Sequence, residues 1–112
     1  MATATDLRDL ALALEGTAEA PHFDRTAFRV KRIYATVPPD RLTANLKLTP
    51  DEQEMQCLMA PHAFAPVPNK FGLQGWTTVT LSAVTKAELD HALQMAWRHA
   101  LPAGNSRKTD RS

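Results

Sequence analysis

The chain predicts an α+β fold, a mainly antiparallel sheet with helices packed on one face. Three observations carry this expectation. Two stretches with helical spacing of apolar residues open in capping boxes, Thr49–Glu52 and Thr85–Glu88. Short stretches that alternate apolar and polar residues crowd between Thr26 and Leu48, and one more follows at Trp76 to Leu81. Strands grouped together, with helices before, between and after them, favour segregated layers over a βαβ alternation.

Each element has a local reason. Thr5 is expected to cap a first helix starting at Asp6, with Leu7, Leu10, Ala11 and Leu14 on one face and Gly16 as its stop. Ala20 to Phe23 reads as a short edge strand, since Pro21 cannot donate to a ladder. Phe28 and Val30 then share one face, with Arg29 on the other. Lys31 and Arg32 sit at the turn. Ile33, Ala35 and Val37 resume the apolar face, which sends Tyr34 and Thr36 to the opposite one. Pro38-Pro39-Asp40 is a turn. Leu42, Ala44, Leu46 and Leu48 alternate with Thr43, Asn45 and Lys47, the cleanest half-buried strand of the chain.

Thr49-Pro50-Asp51-Glu52 starts a second helix that ends before Pro61, with Met55, Leu58 and Met59 as its buried side. Residues 61–75 read as irregular. In the next strand Thr77, Val79 and Leu81 share one face, and Trp76, Thr78 and Thr80 the other. The last helix runs to about Ala100, with Leu89, Leu93, Ala96, Trp97 and Ala100 inward and His91 and Met95 on its polar side; Pro102 and Gly104 end it. Residues 1–104 are expected to form one domain, and 105–112 a polar, basic, disordered tail.

The bulk numbers exclude several classes. With 112 residues, 44% hydrophobic and 22% charged, the chain is neither disordered nor multidomain. Cys57 is the single cysteine, so no intramolecular disulfide forms. No apolar run reaches the roughly 18 residues of a membrane span, and the N-terminus has no signal-peptide pattern. The expectation is a cytoplasmic protein without membrane association.

Net charge is only +1, but it is sorted. Residues 25–47 hold Arg25, Arg29, Lys31, Arg32, Arg41 and Lys47 against Asp40 alone. Residues 1–24 hold Asp6, Asp9, Glu15, Glu19 and Asp24 against Arg8 alone. Basic side chains neutralise phosphates and aromatic rings stack on bases. The candidate nucleic-acid contacts are therefore Arg25, Arg29, Lys31, Arg32, Tyr34, Lys47 and Trp76, with Arg107, Lys108 and Arg111 of the tail as further contacts. The competing reading is an ordinary solvated strand face, on which lysine blocks edge pairing; a pI near 8.0 falls short of a strongly basic domain.

Other chemistry is poorly supported. The glycines of NKFGLQG match neither a P-loop nor a dinucleotide fingerprint. His22, His62, His91 and His99 have no metal-ligand spacing. Asp6, Asp9 and Glu15 are too sparse for a metal-binding acidic ridge. Cys57 has acidic neighbours that oppose thiolate formation. His22 and Asp24 are a thin acid–base pair without a third partner. No catalytic residue, metal or cofactor is expected.

Taken in order, PHFDRTAFRVKRIYATV, NLKLTPDEQEMQ, FGLQGWTTVTL and ALQMAWRHALP resemble the MmcQ/YjbR-like family of small bacterial proteins over roughly residues 7–102. Two departures are visible: Lys31-Arg32 where the family often has Gly-Lys, and Phe71 where it often has Trp. The resemblance implies a CyaY-like α+β domain and, by likeness to a double-wing transcription-factor domain, DNA binding, weak or non-specific. It brings no catalytic residues. Two alternatives stand beside it. One is a protein-interaction module, including a homodimer pairing acidic and basic surfaces. The other is a small-molecule site beside the 61–75 segment, involving His22, Trp76 and Lys70.

Overall fold

The computed structural model describes residues 1–101, so the expected domain end at 104, the helix-ending Pro102 and Gly104, and the tail with Arg107, Lys108 and Arg111 lie outside the described residues. Its elements run α1 (Ala4–Ala13), β1 (Ala18–His22), β2 (Arg25–Arg29), β3 (Ile33–Val37), β4 (Thr43–Lys47), α2 (Pro50–Met59), β5 (Phe64–Pro66), α3 (Lys70–Leu73), β6 (Trp76–Thr80), a single 3-10 turn at Leu81–Ala83, and α4 (Lys86–Ala100). The strands form one antiparallel sheet in the order β1-β2-β3-β4-β6-β5. The α+β class is as expected. Residues 61–75 are more regular than expected: they hold β5, which pairs with β6, and the short α3.

Helix starts are set by local chemistry. Thr49 accepts from the Glu52 N–H while Glu52 accepts from the Thr49 N–H, and Thr85 and Glu88 do the same, which satisfies two otherwise orphaned donors at each start. At α1 the cap is Thr3, not Thr5, because Asp6 lies three residues after Thr3 and reciprocates its bond. Gly16 follows the helix rather than ending it, in a turn with φ +82.

Directly paired residues of an antiparallel sheet share a face. On the helix-covered face Phe28, Ala35, Leu46 and Thr77 form one row across four strands. Leu7 and Ala11 of α1 and Leu89, Leu93 and Ala96 of α4 close over them, all fully or almost fully buried. Buried Thr77 donates its hydroxyl to the Gly75 carbonyl at 2.9 Å. Among the described residues no buried side-chain nitrogen or oxygen lacks a partner.

Tyr34 departs from the alternation. It was expected on the open face, yet it is 0% exposed. Phe28 pairs with Ala35 and Arg29 with Ile33, so Tyr34 is the extra residue of a β-bulge. A bulge breaks the two-residue period and re-aims a side chain, here into the core under α1. The hydroxyl donates to the Ala11 carbonyl at 3.5 Å and shares a 2.8 Å hydrogen bond with Thr17. Burial raises its pKa, an effect partly offset by the Thr17 bond. Tyr34→Phe is expected to cost about 1 kcal/mol, or about 4–8 °C in Tm by thermal unfolding.

The second helix is also a correction. Met55, Leu58 and Met59 are exposed, and no residue of α2 is fully buried. The helix rests chiefly on β5 and stands away from α4. Leu42 is likewise exposed, because the regular strand starts only at Thr43.

Candidate nucleic-acid interface

The face away from the helices is built around one row. Ala20, Ala27, Thr36, Asn45, Thr78 and Ala65 pair in succession across all six strands. Every side chain in that row is short, so the floor is shallow. Its polar groups are mutually held: Thr78 donates to Asn45 at 2.7 Å, and Arg25 Nε donates to the Thr36 hydroxyl at 2.8 Å. Arg25 thus lies along the sheet, and Ala27 and Thr36 are buried although no helix covers them.

Cations stand at the ends of this floor. Arg25 pairs with His22 at one end; Arg29 pairs with Ala18 and Ile33 at the other, where Lys47 pairs with Trp76. Lys31 and Arg32 occupy the adjoining turn and are exposed. The turn is pinned by the Lys31 N–H, which donates to the Ala100 carbonyl at 3.2 Å. It therefore sets positive charge beside the C-terminus of α4, where the helix dipole favours it. Glu19, the one acidic residue within the strands, pairs with Phe28 on the opposite face and binds Arg8 of α1 at 2.7 Å. The register thus separates the charges that the sequence had placed close together.

Four of the seven candidate residues meet at a cavity of about 230 Å³ at the Lys47 end, lined by Arg32, Tyr34, Lys47 and Trp76 together with Ala96 and His99 of α4. Lys47 Nζ donates to the Gln74 carbonyl at 2.8 Å and more weakly to that of Leu48 at 3.4 Å. Burial, with the neighbouring Arg32 charge, lowers its pKa, while Glu52 pulls the other way. Trp76 is half-buried at this end and does not stand free on the floor. Tyr34 offers the cavity part of its wall, but its buried position removes it as a stacking platform. Arg25, Arg29 and Lys31 remain outside the cavity.

His99 is the residue that sequence reading missed here. Its Nε2 lies 2.8 Å from Glu52 Oε1. Burial pushes the Glu52 carboxyl up, but the Thr49 backbone bond and His99 outweigh it and leave the pKa below the ordinary value. No local pattern announces His99, because its partner is 47 positions away. Phe23 was missed too. It is 92% exposed with φ +59 at the tip of the first hairpin, and its ring meets His22 edge-on at 4.8 Å. An aromatic residue directly before Asp24 in a two-residue turn was the available signal.

Cys57 packs partly against the core, and burial raises its thiol pKa, which keeps it protonated at neutral pH. No helix among the described residues is long and apolar enough to cross a membrane.

Comparisons with known proteins agree with the fold. A Deinococcus radiodurans protein with a DUF419 domain, known from its crystal structure, is 28% identical and superposes with a TM-score of 0.77 over 97% of this chain and 88% of its own. A Pseudomonas syringae protein of known crystal structure is 18% identical with a TM-score of 0.61, covering 82% of this chain and 93% of its own, a likeness of fold. No functionally curated protein matches the chain. The YjbR family profile matches residues 12–99, most of the sequence and every element from the end of α1 to the last turn of α4, so the chain belongs to the YjbR family.

Proposed function

We propose that the protein is a small non-catalytic domain of the cytoplasm that binds DNA, weakly and without strong sequence preference, through its uncovered sheet face. One observation supports this above the others. The register sends Arg25, Arg29 and Lys47 to the uncovered face and Glu19 to the covered one. Lys31 and Arg32 extend the cationic end. Short floor residues let a sugar–phosphate backbone approach, and the cations neutralise its phosphates. The paired Thr–Asn floor has few free groups with which to read base edges, so binding is chiefly electrostatic.

The test is titration of the domain into labelled duplex and single-stranded DNA across a salt series. Five cations acting on phosphates predict micromolar affinity at low salt and a log–log slope of about −4 to −5 on duplex. Absence of binding at low salt, or a slope near zero, overturns the proposal.

A further inference from the structure

A larger cavity lies on the helix side of the sheet, between α2 and α4. It is an open groove of about 730 Å³. Phe64, Val84 and Met95 form its floor and are nearly fully buried, whereas Met55 and Met59 on its α2 wall are 55% and 70% exposed. Met95 had been expected on the polar side of its helix; it faces this groove instead. Among the described residues the Glu52–His99 contact is the sole side-chain bond joining the two helices. An amphipathic helix normally buries its apolar stripe. In α2 that stripe is left bare, and methionines give an adaptable apolar surface suited to a docked chain.

Charge identifies the occupant. Helix α2 carries Asp51, Glu52 and Glu54 and no basic residue. Asp51 and Glu52 line the groove, Glu88 of α4 lies across from them, and His62 and His91 are the other ionisable residues of the lining, so the rim is acidic when the imidazoles are neutral. A second copy docking through the same face would bring the same acids and be repelled. Nucleic acid is disfavoured for the same reason. A helix with an apolar stripe flanked by Lys and Arg satisfies both the methionine walls and the acidic rim. At 1.5 Å per residue, the groove alongside α2 takes about ten residues, or about three turns.

We propose that the groove between α2 and α4 docks a basic amphipathic helix of a partner protein. The groove opens away from the cationic sheet face, with the Glu52–His99 contact between them, so the domain can hold a protein on one side and a polyanion on the other.

The experiment uses two 14-residue helical peptides of helical apolar period, one of Leu and Lys and one of Leu and Glu, titrated into protein carrying ¹³C-methyl methionine. The Lys peptide is expected to shift the Met55, Met59 and Met95 methyl signals saturably, with the Glu peptide at least about tenfold weaker. Met55→Lys with Met59→Lys is expected to weaken the Lys peptide at least about tenfold, at nearly unchanged Tm because both side chains are already exposed. The proposal is overturned if the methionine signals stay in place, if both peptides bind alike, or if the double variant binds as the parent does. It is also overturned if sedimentation shows a dimer that the double variant dissociates, since the groove's occupant is then a second copy.

Discussion

Gly75→Ala is expected to destabilise the domain by about 3 kcal/mol or more, lowering Tm by about 12 °C or more. Gly75 has φ +107, and a Cβ there would fall 1.8 Å from the Leu48 carbonyl oxygen. The obstacle is backbone, so no rotamer change relieves it. The same two residues are bonded, Leu48 N–H to Gly75 carbonyl at 3.1 Å, just where β4 hands over to α2 and β6 begins. Relief of the clash must therefore break that bond or tilt β6. The left-handed conformation costs alanine about 1 kcal/mol by itself, and a lost buried hydrogen bond adds about 1–3 kcal/mol. Gly16→Ala is the control. Its φ is +82, but the nearest atom to the added Cβ is Val30 Cγ1 at 3.3 Å, a side chain free to yield. It should cost about 1 kcal/mol. Urea unfolding followed by circular dichroism separates the two. Equal losses would show that dihedral strain alone, not the close backbone approach, sets the requirement for glycine at 75. Because Trp76 and Lys47 flank this junction, any surviving Gly75→Ala protein should also bind DNA less well.

What the sequence revealed and what it hid divide along physical lines. The Thr49–Glu52 and Thr85–Glu88 boxes were legible because cap chemistry is local to four residues. The burial of Ala44, Leu46 and Leu48 was legible because a regular strand keeps a two-residue period. Tyr34 was not, since a bulge shifts that period by one and the extra residue is specified by the pairing with β2. Residues 61–75 hid β5 and α3 because three strand residues and four helical ones are too few to show a period. Amphipathicity found the apolar side of α2, but periodicity does not say whether a neighbour lies against it. The candidate site shows the same division. The cations of residues 25–47 were visible by composition. Their separation from Glu19 is a matter of register, which a hairpin turn sets and composition does not.

That separation makes the second large prediction a positional one. Arg29→Glu is expected to weaken DNA binding about tenfold, and Arg29→Glu with Lys31→Glu about a hundredfold, with the salt slope falling by about 2. The magnitude follows from charge. Each reversal removes one attraction and adds one repulsion, each worth up to about 1 kcal/mol between solvent-exposed charges. Both side chains are exposed and have no side-chain hydrogen bond among the described residues, so Tm should hardly change. Arg25 is a worse probe because it also holds Thr36, and its loss would mix folding with binding. Lys86→Glu supplies the control. It makes the same change in net charge at the start of α4, on the helix side of the sheet, and should alter affinity less than about twofold. If Lys86→Glu weakens binding as much as Arg29→Glu, the domain responds to total charge and has no DNA-binding face. If neither has an effect while the parent binds, the contact lies elsewhere. Loss confined to Arg29 and Lys31 would tie the polyanion to the one face on which the register gathers cations and leaves out the strand carboxylate.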